Sequence, residues 1–336
     1  MHIENNNIRF EKYLKDEEEA EKNEMSLPFN SEKEIKFLFF GDMMLDRHVG
    51  EKIKSKGIHY LFEKLDENDF FQNYDLISVN LEGVVTDGGA HYAPHNLYDF
   101  AFSPEIINQL KDYNFNFFNL ANNHFGDQGQ RGIIETRKNL DNLGFYYSGC
   151  QDGKTGDCSF EIIEMKGKKI GLAGFSQVYS LIEISKMENI ILDLASRVDF
   201  VIVNIHWGLE YQHQFNQTQQ KYAHSLIDSG ADIIIGHHPH VVQGMEIYKN
   251  KPIFYSLGNF VFDQYFSQAT QEGLSVGISI TEDKKEFNLF PFKSKASQPY
   301  LMNDNEWEMF IKKFISWSDL SSEEQKQVLD FKIIID

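Results

Sequence analysis

The stretch GADIIIGHHPHVVQG, residues 230–244, runs an apolar segment directly into His237, His238 and His240, with Pro239 between the last two. A short β-branched run bounded by Gly and His reads as a buried strand. In an extended segment residues two apart share a face, so His238 and His240 are expected to point together and His237 away. Pro239 stiffens the segment that presents them. Neutral imidazole nitrogen suits transition metals, and two on one short segment make half a site. A solvated loop with three histidines is the plainer alternative, and the strand leading into them argues against it.

Similar runs recur along the chain and set the fold class. IKFLFFGD (35–42), DLISVN (75–80), FNFFNL (115–120), KKIGLAGF (168–175), DFVIVNIH (199–206) and PIFYSLGN (252–259) are short and rich in β-branched or aromatic residues. They read as buried strands that stop at or beside Gly, Asn, Asp or His. Helical segments lie between several of them. SPEIINQLKDY has Ser103 as N-cap and Pro104 at the first helical position. GIIETRKNLDNLG and NQTQQKYAHSLIDSG end on Gly144 and Gly230, which suit a helix C-terminus. The alternation predicts an α/β fold with mainly parallel pairing. LSVGISI and EFNLFPF then read as antiparallel strands, and NEWEMFIKKFISW as a C-terminal helix. The expected organisation is an acidic tail over 1–33, one domain over 34–295 and a helical extension over 296–336.

Composition narrows the function classes. The chain has 336 residues, 41% of them hydrophobic, enough to fill the core of a large domain. No apolar run approaches the roughly 18–20 residues of a membrane helix. The N-terminus MHIENNNIRFEKYLKDEEEAEKNE is polar and acidic, unlike a signal peptide, so the chain as it stands reads as cytoplasmic. A net charge of −19 repels phosphate backbones and anionic lipid, which excludes nucleic acid and membrane surfaces as main partners. Bound metal ions would still allow local anion binding. Cys150 and Cys158 flank the turn CQDGKTGDC and are expected as two reduced thiols that would pair if secreted. Two cysteines do not provide a Cys-based zinc site.

In parallel sheets ligands meet the carboxyl ends of the strands, so the polar residues there are the ones to weigh. Asp42 ends the first run, in GDMMLDR; a turn or N-cap aspartate is the bland alternative. Glu82 follows the second, in NLEG, and alone reads as a solvated loop carboxylate. Asn122, Asn123, His124 and Asp127 crowd the end of the third. Turn preference explains Asn and Asp but not the histidine. His206 ends another, with Glu210 four residues on; a lone strand-end histidine is more often a satisfied core residue. Together, five strands deliver Asp, Glu, Asn, His and His-x-His to one edge. Two metal ions bridged by a carboxylate need about this set.

Taken in order, GDMMLDR, NLEG, LANNHFGDQG, HWGLEY, GHHPHVVQG and YSLGNFVFDQ resemble the consecutive motifs of the CapA family, the poly-γ-glutamate capsule synthesis proteins. The resemblance runs from Phe37 to Asp263. That family belongs by fold to the calcineurin-like metallophosphoesterases, which implies a four-layer αββα sandwich. The resemblance places Asp42 on a first metal, Glu82 in the bridging position, Asn123 and His206 on a second metal, and His238 and His240 completing the two sites. It gives His124 the part of a general acid, and Arg47, Glu210, Asn259 and Asp263 contact with substrate. The implied cofactor is one or two divalent ions: Mn, Zn, Fe or Mg.

Two departures matter. The superfamily's first motif is Asp-x-His, and Met44 stands at the histidine position, with His48 too far along to replace it. The superfamily's bridging residue is an Asp after Gly-Asp, and Glu82 sits instead in NLEG. The first site is therefore expected to be weak, mononuclear, or filled only with substrate. Two functions follow. One is a hydrolase in which an activated water attacks a phosphoester or γ-glutamyl linkage. The other is a non-catalytic accessory protein that binds anionic polymer through metal or Arg47. The implied partners are a small-molecule or polymer substrate and poly-γ-glutamate synthesis proteins. The resemblance also allows a membrane-associated or extracellular setting.

Overall fold

Side chains along the first strand alternate between two different cores, and that alternation reveals the layering. The computed structural model describes residues 34–335; the expected acidic tail, 1–33, lies outside the described residues. The strands β1 (Ile35–Met43), β2 (Leu76–Leu81), β3 (Val84–Val85), β4 (Ala101–Phe102), β5 (Phe115–Asn119) and β6 (Tyr146–Ser148) come first. Next are β7 (Phe160–Met165), β8 (Lys168–Ser176), β9 (Phe200–His206), β10 (Ile233–His237), β11 (Met245–Tyr248) and β12 (Lys251–Phe254). Then follow β13 (Asn259–Val261), β14 (Glu272–Ile280), β15 (Lys285–Lys295), β16 (Gln298–Leu301) and β17 (Lys332–Ile335). The helices are α1 (Arg47–Lys56), α2 (His59–Asp66), α3 (Pro104–Asn108), α4 (Gly129–Leu143), α5 (Ile184–Ala195), α6 (Gln217–Asp228), α7 (Asp304–Trp317) and α8 (Ser322–Leu329).

Phe37 and Phe39 of β1 enter a core that also takes Leu172, Ile202 and Ile235 from β8, β9 and β10. Leu38 and Phe40 enter a second core with Val49 and Ile53 of α1 and Leu61 and Phe62 of α2. Val201, Val203 and Ile205 of β9 face a third, built with Ile191 and Leu194 of α5 and Leu226 of α6. Strands buried on both faces need the continuous apolar runs seen in the sequence. The order of layers is thus helix, sheet, sheet, helix, the expected αββα sandwich.

The larger sheet has nine strands among the described residues, ordered β16-β15-β14-β1-β2-β5-β6, with β13 also on β1 and β17 also on β15. The smaller has six, ordered β11-β12-β10-β9-β8-β7. The strands β1, β2, β5 and β6 run parallel, as do β8, β9, β10 and β12. The expected antiparallel pair is β14 and β15. Ser103 caps α3 by accepting from Ile106 N, and Gly144 ends α4 in the left-handed region at φ 73°.

Three expectations need correction. PIFYSLGN is two strands, not one: β12 lies in the smaller sheet and β13 in the larger, with the chain crossing at Gly258, φ 70°. The C-terminal extension is not only helical. β16 and β17 both pair with β15, while Trp307, Phe310 and Phe314 of α7 fill the middle core. Four-residue edge strands carry too little periodicity to stand out. Finally, Cys150 and Cys158 form a disulfide, because the turn between them brings their Cα atoms to 5.2 Å, within bridging range.

Candidate metal centre

Strand register lines up a row of polar residues. In the larger sheet Asp42 pairs with Asn80 and with Asn259, and Asn80 pairs with Asn119. In the smaller sheet His206 pairs with His237 and with Ser176. Both rows lie at the carboxyl ends of parallel strands, where open α/β sheets bind ligands. They meet where β1 passes β10, and the backbone N–H of His238 donates to Asp42 Oδ2 at 3.3 Å. Gly41 lets the chain at Gly258 lie against β1: a Cβ there would overlap the Gly258 carbonyl oxygen, which accepts from Asp42 N at 2.9 Å.

The floor of the site is buried. Asp42, Asn80, Glu82 and His206 are fully covered, and His238 and His240 nearly so. Asn80 donates to Asp42 Oδ1 at 2.8 Å and Glu82 Oε1 at 3.2 Å, and lies 3.2 Å from His206 Nδ1. His206 Nε2 lies 2.8 Å from Asn123 Oδ1 and 3.2 Å from His238 Nδ1. His240 Nδ1 lies 2.9 Å from Asn259 Oδ1 and 3.4 Å from Asp42 Oδ2. Asn259, expected at the substrate, is thus buried behind His240, and its amide is spent on Gln264 and the Thr270 carbonyl.

His237 does not point away. Its Nδ1 lies 3.6 Å from Asp42 Oδ1, and its Nε2 lies 3.3 Å from Asn204 Oδ1. The strict two-residue alternation fails because His238 and His240 have φ of 98° and 56°. The segment is a turn, not a continuation of the strand.

Above the floor opens a cleft of about 940 Å³, lined among others by Arg47, Asn123, His124, Glu210, His240 and Asp263. His124 Nδ1 bonds Asp127 Oδ2 at 2.9 Å, its ring packs 4.3 Å from that of Phe100, and its backbone N–H donates to Asn122 Oδ1. Arg47 makes a two-pronged pair with Asp263, its Nε at 3.1 Å from Oδ2.

Burial raises the Glu82 carboxyl well above its usual range, and neighbouring Asp42 adds to the shift. Burial pushes Asp42 the same way, but His237 and His240 outweigh it and hold that carboxyl low. Burial, reinforced by neighbouring imidazoles, pushes the His206 ring down and His238 down to about 3. These rings therefore stand neutral, the form that ligates metal.

The donor set fits a divalent cation. Ligand atoms of Asp42, Glu82 and His240 lie within 4.8 Å of one another, as do those of Glu210, His238 and His240. Glu82 Oε2 is buried without a hydrogen-bond partner, which is costly unless a cation satisfies it. Mixed imidazole and carboxylate donors suit Zn, Mn or Fe, and the set does not single out one of them.

Comparison with known proteins adds the family. The profile of the family described as Bacterial capsule synthesis protein PGA_cap matches residues 36–264. The chain belongs to that family. Capsule biosynthesis protein CapA of Bacillus anthracis is 32% identical over 254 residues, 70% of this chain and 61% of that protein. PGA biosynthesis protein CapA of Bacillus subtilis (strain 168) is 33% identical over 254 residues, 70% of this chain and 65% of that protein. The chain thus spans a little under two thirds of the length of these relatives. A novel phosphatase of Mycoplasma pneumoniae overlays 82% of this chain and 96% of its own at 14% identity and a TM-score of 0.47, too loose to argue from.

The PGA_cap centre contains one residue that strand-end reasoning passed over. Asn80 sits inside the run LISVNL, two residues before Glu82. Same-face spacing with Glu82 was the signal that would have found it.

Proposed function

We propose that this PGA_cap chain is a metal-dependent hydrolase of phosphoester or γ-glutamyl linkages that serves poly-γ-glutamate capsule synthesis. The observation that carries the reading is the unsatisfied, buried Glu82 Oε2 set among Asp42 and His240, directly beneath a cleft that also presents His124. Asp42, Glu82, Asn123, His206, His238 and His240 would hold one or two divalent ions. Such an ion supplies Lewis acidity and a water made acidic near neutral pH.

The chain's own groups do the rest. Asp127 accepts from His124 Nδ1 and so stabilises the ring as an imidazolium, whose Nε2–H gives its proton to the leaving group and leaves the neutral Nδ1–H ring behind. Phe100 packs against the ring and holds its angle. The pair with Asp263 takes Arg47 Nε and Nη2 and leaves Nη1 as a donor to one polar group of the substrate.

The polymer-binding alternative draws less support. Arg47 is the one Lys or Arg side chain lining the cleft among the described residues, and Asp263 already neutralises it. A run of polymer carboxylates would find little free positive charge there. No helix among the described residues is long and apolar enough to cross a membrane. The Cys150–Cys158 bridge favours an oxidising compartment over the cytoplasm.

Purified protein tested against phosphoesters and γ-glutamyl oligomers, with Mn²⁺, Zn²⁺ or Mg²⁺ added, checks the proposal. Turnover that needs metal and His124 supports it. Binding of polymer without turnover of either class would favour the accessory role.

A further inference from the structure

Glu210 was expected at the substrate, and its surroundings suggest a different task. The residue sits on the loop that follows β9, and two features fold that loop back over the centre. Gly208 and Tyr211 take φ of 86° and 62°, which reverses the chain. Two backbone bonds then tie the loop to the histidine turn: Trp207 N to His237 O at 3.1 Å and Tyr211 N to Pro239 O at 2.8 Å. Tyr211 also lies with its ring 6.2 Å from that of His240. Glu210 is thus held between two anchored neighbours, beside His238 and His240, and its ligand atom lies within 4.8 Å of theirs.

Met44 follows Asp42 by two residues and turns away from the centre. Its side chain is fully buried in the core beneath α1 and α2, and its sulfur accepts from Asp46 N at 3.0 Å. His48 is exposed and engaged with Glu51 at 3.1 Å. Met44 is thus spent in the core, and Glu210 offers a carboxylate whose ligand atom lies within 4.8 Å of those of His238 and His240. An exposed loop glutamate needs no metal to exist. Glu210 sets a carboxylate beside two buried imidazoles with no Lys or Arg in the set, an arrangement that a cation held among the three would stabilise.

We propose that Glu210 is a metal ligand, joining His238 and His240 on the cleft side of the centre. The inference rests on the metal reading above. It adds that a surface loop carries the cleft-side ligand. Glu210 is exposed, so changing it leaves the cores untouched.

The test is titration of the metal-stripped full chain with Co²⁺, read by calorimetry for affinity and by visible absorption for coordination, at low and high salt. Glu210→Gln is expected to bind about tenfold or more weakly, the least that loss of a partner in a metal site causes, and to show an altered Co²⁺ spectrum. Equal affinity and an unchanged spectrum would overturn the proposal while leaving the metal reading intact. A weaker affinity that high salt restores, with an unchanged spectrum, would also overturn it, since that is the mark of a nearby charge and not of a ligand. Failure of the unsubstituted chain to take up Co²⁺, Mn²⁺ or Zn²⁺ would sink the metal reading and this inference together.

Discussion

Asn80 and Asp42 sit side by side on parallel strands, and the Asn80 amide donates to Asp42 Oδ1 at 2.8 Å while its own carbonyl accepts from Asn119 at 2.8 Å. This fully buried carboxamide orients a carboxylate from one sheet and an imidazole, His206, from the other. Asn80→Ala is therefore expected to weaken metal binding by about 10–100-fold, as loss of a supporting partner does. It should also destabilise the fold by about 1–3 kcal/mol through groups left unpaired. Calorimetric titration and denaturant unfolding read the two effects. An unchanged metal affinity would show that Asn80 does not orient the centre.

His124 and Asp127 should separate rate from binding. His124→Ala is expected to keep metal and stability but lose about 10²–10⁴-fold in turnover. The loss should shrink for substrates with good leaving groups, which need less protonation. Asp127→Asn should fall in between, because the ring stays but the carboxylate that stabilises its protonated form is gone. Loss of metal in His124→Ala would make the residue a ligand and remove it from the general-acid role.

The disulfide should be measurable without any substrate. Cys150 and Cys158 are eight positions apart, so the bridge closes a short loop. The chain-entropy relation puts its contribution at about 2–3 kcal/mol. Protein prepared under oxidising conditions should show no titratable thiol among the described residues until reductant is added, and its thermal midpoint should then fall. Freely titrating thiols before reduction would restore the reading made from sequence.

Glu286 gives a pH dependence with a definite sign. Burial raises its carboxyl, but Lys332 and Lys284 outweigh that and hold it below the usual 4.5. The pair with Lys332 helps fix β17 on β15. A depressed carboxylate stabilises fully above the unfolded value and loses that contribution as pH falls through the folded one. Glu286→Gln should thus be less stable than the parent at pH 7, with the gap closing as pH drops below 4.5. Denaturant midpoints across that range check it; a gap that does not change with pH would show that the ion pairs contribute nothing.

The parts of the fold that sequence made legible are the ones with strong periodicity. Every buried central strand announced itself as an apolar run, because a strand covered on both faces has no polar alternation to blur it. Asp42, Glu82, Asn123, His206, His238 and His240 stood at the ends of such runs, and the structure gathers them at one edge. Asn80 was hidden because it lies within its run and not after it. His237 was misplaced because parity holds only while φ stays extended, and His238 leaves that region at 98°. The crossing at Gly258 was invisible because an apolar run does not say which sheet its halves join. Glu210's nearness to the histidines was not legible, because it depends on two backbone bonds that tie its loop to their turn.

The division of the sheets along the chain bears on synthesis. The six strands of the smaller sheet all fall between Phe160 and Phe254, while β1, which carries Asp42, is flanked by β2 on one side and by β14, residues 272–280, on the other. A ribosome adding about 5–20 residues per second makes the first of these neighbours early and the second on the order of ten seconds or more later. For that interval the Ile35–Phe39 part of a strand rich in phenylalanine has one open edge, the kind that recruits strands from other chains. Stalling or truncation before Glu272 would leave the Ile35–Phe39 part of that edge permanently bare, since β13 covers only Asp42 and Met43. Fragments ending there should therefore collect in inclusion bodies, however sound the smaller sheet within them.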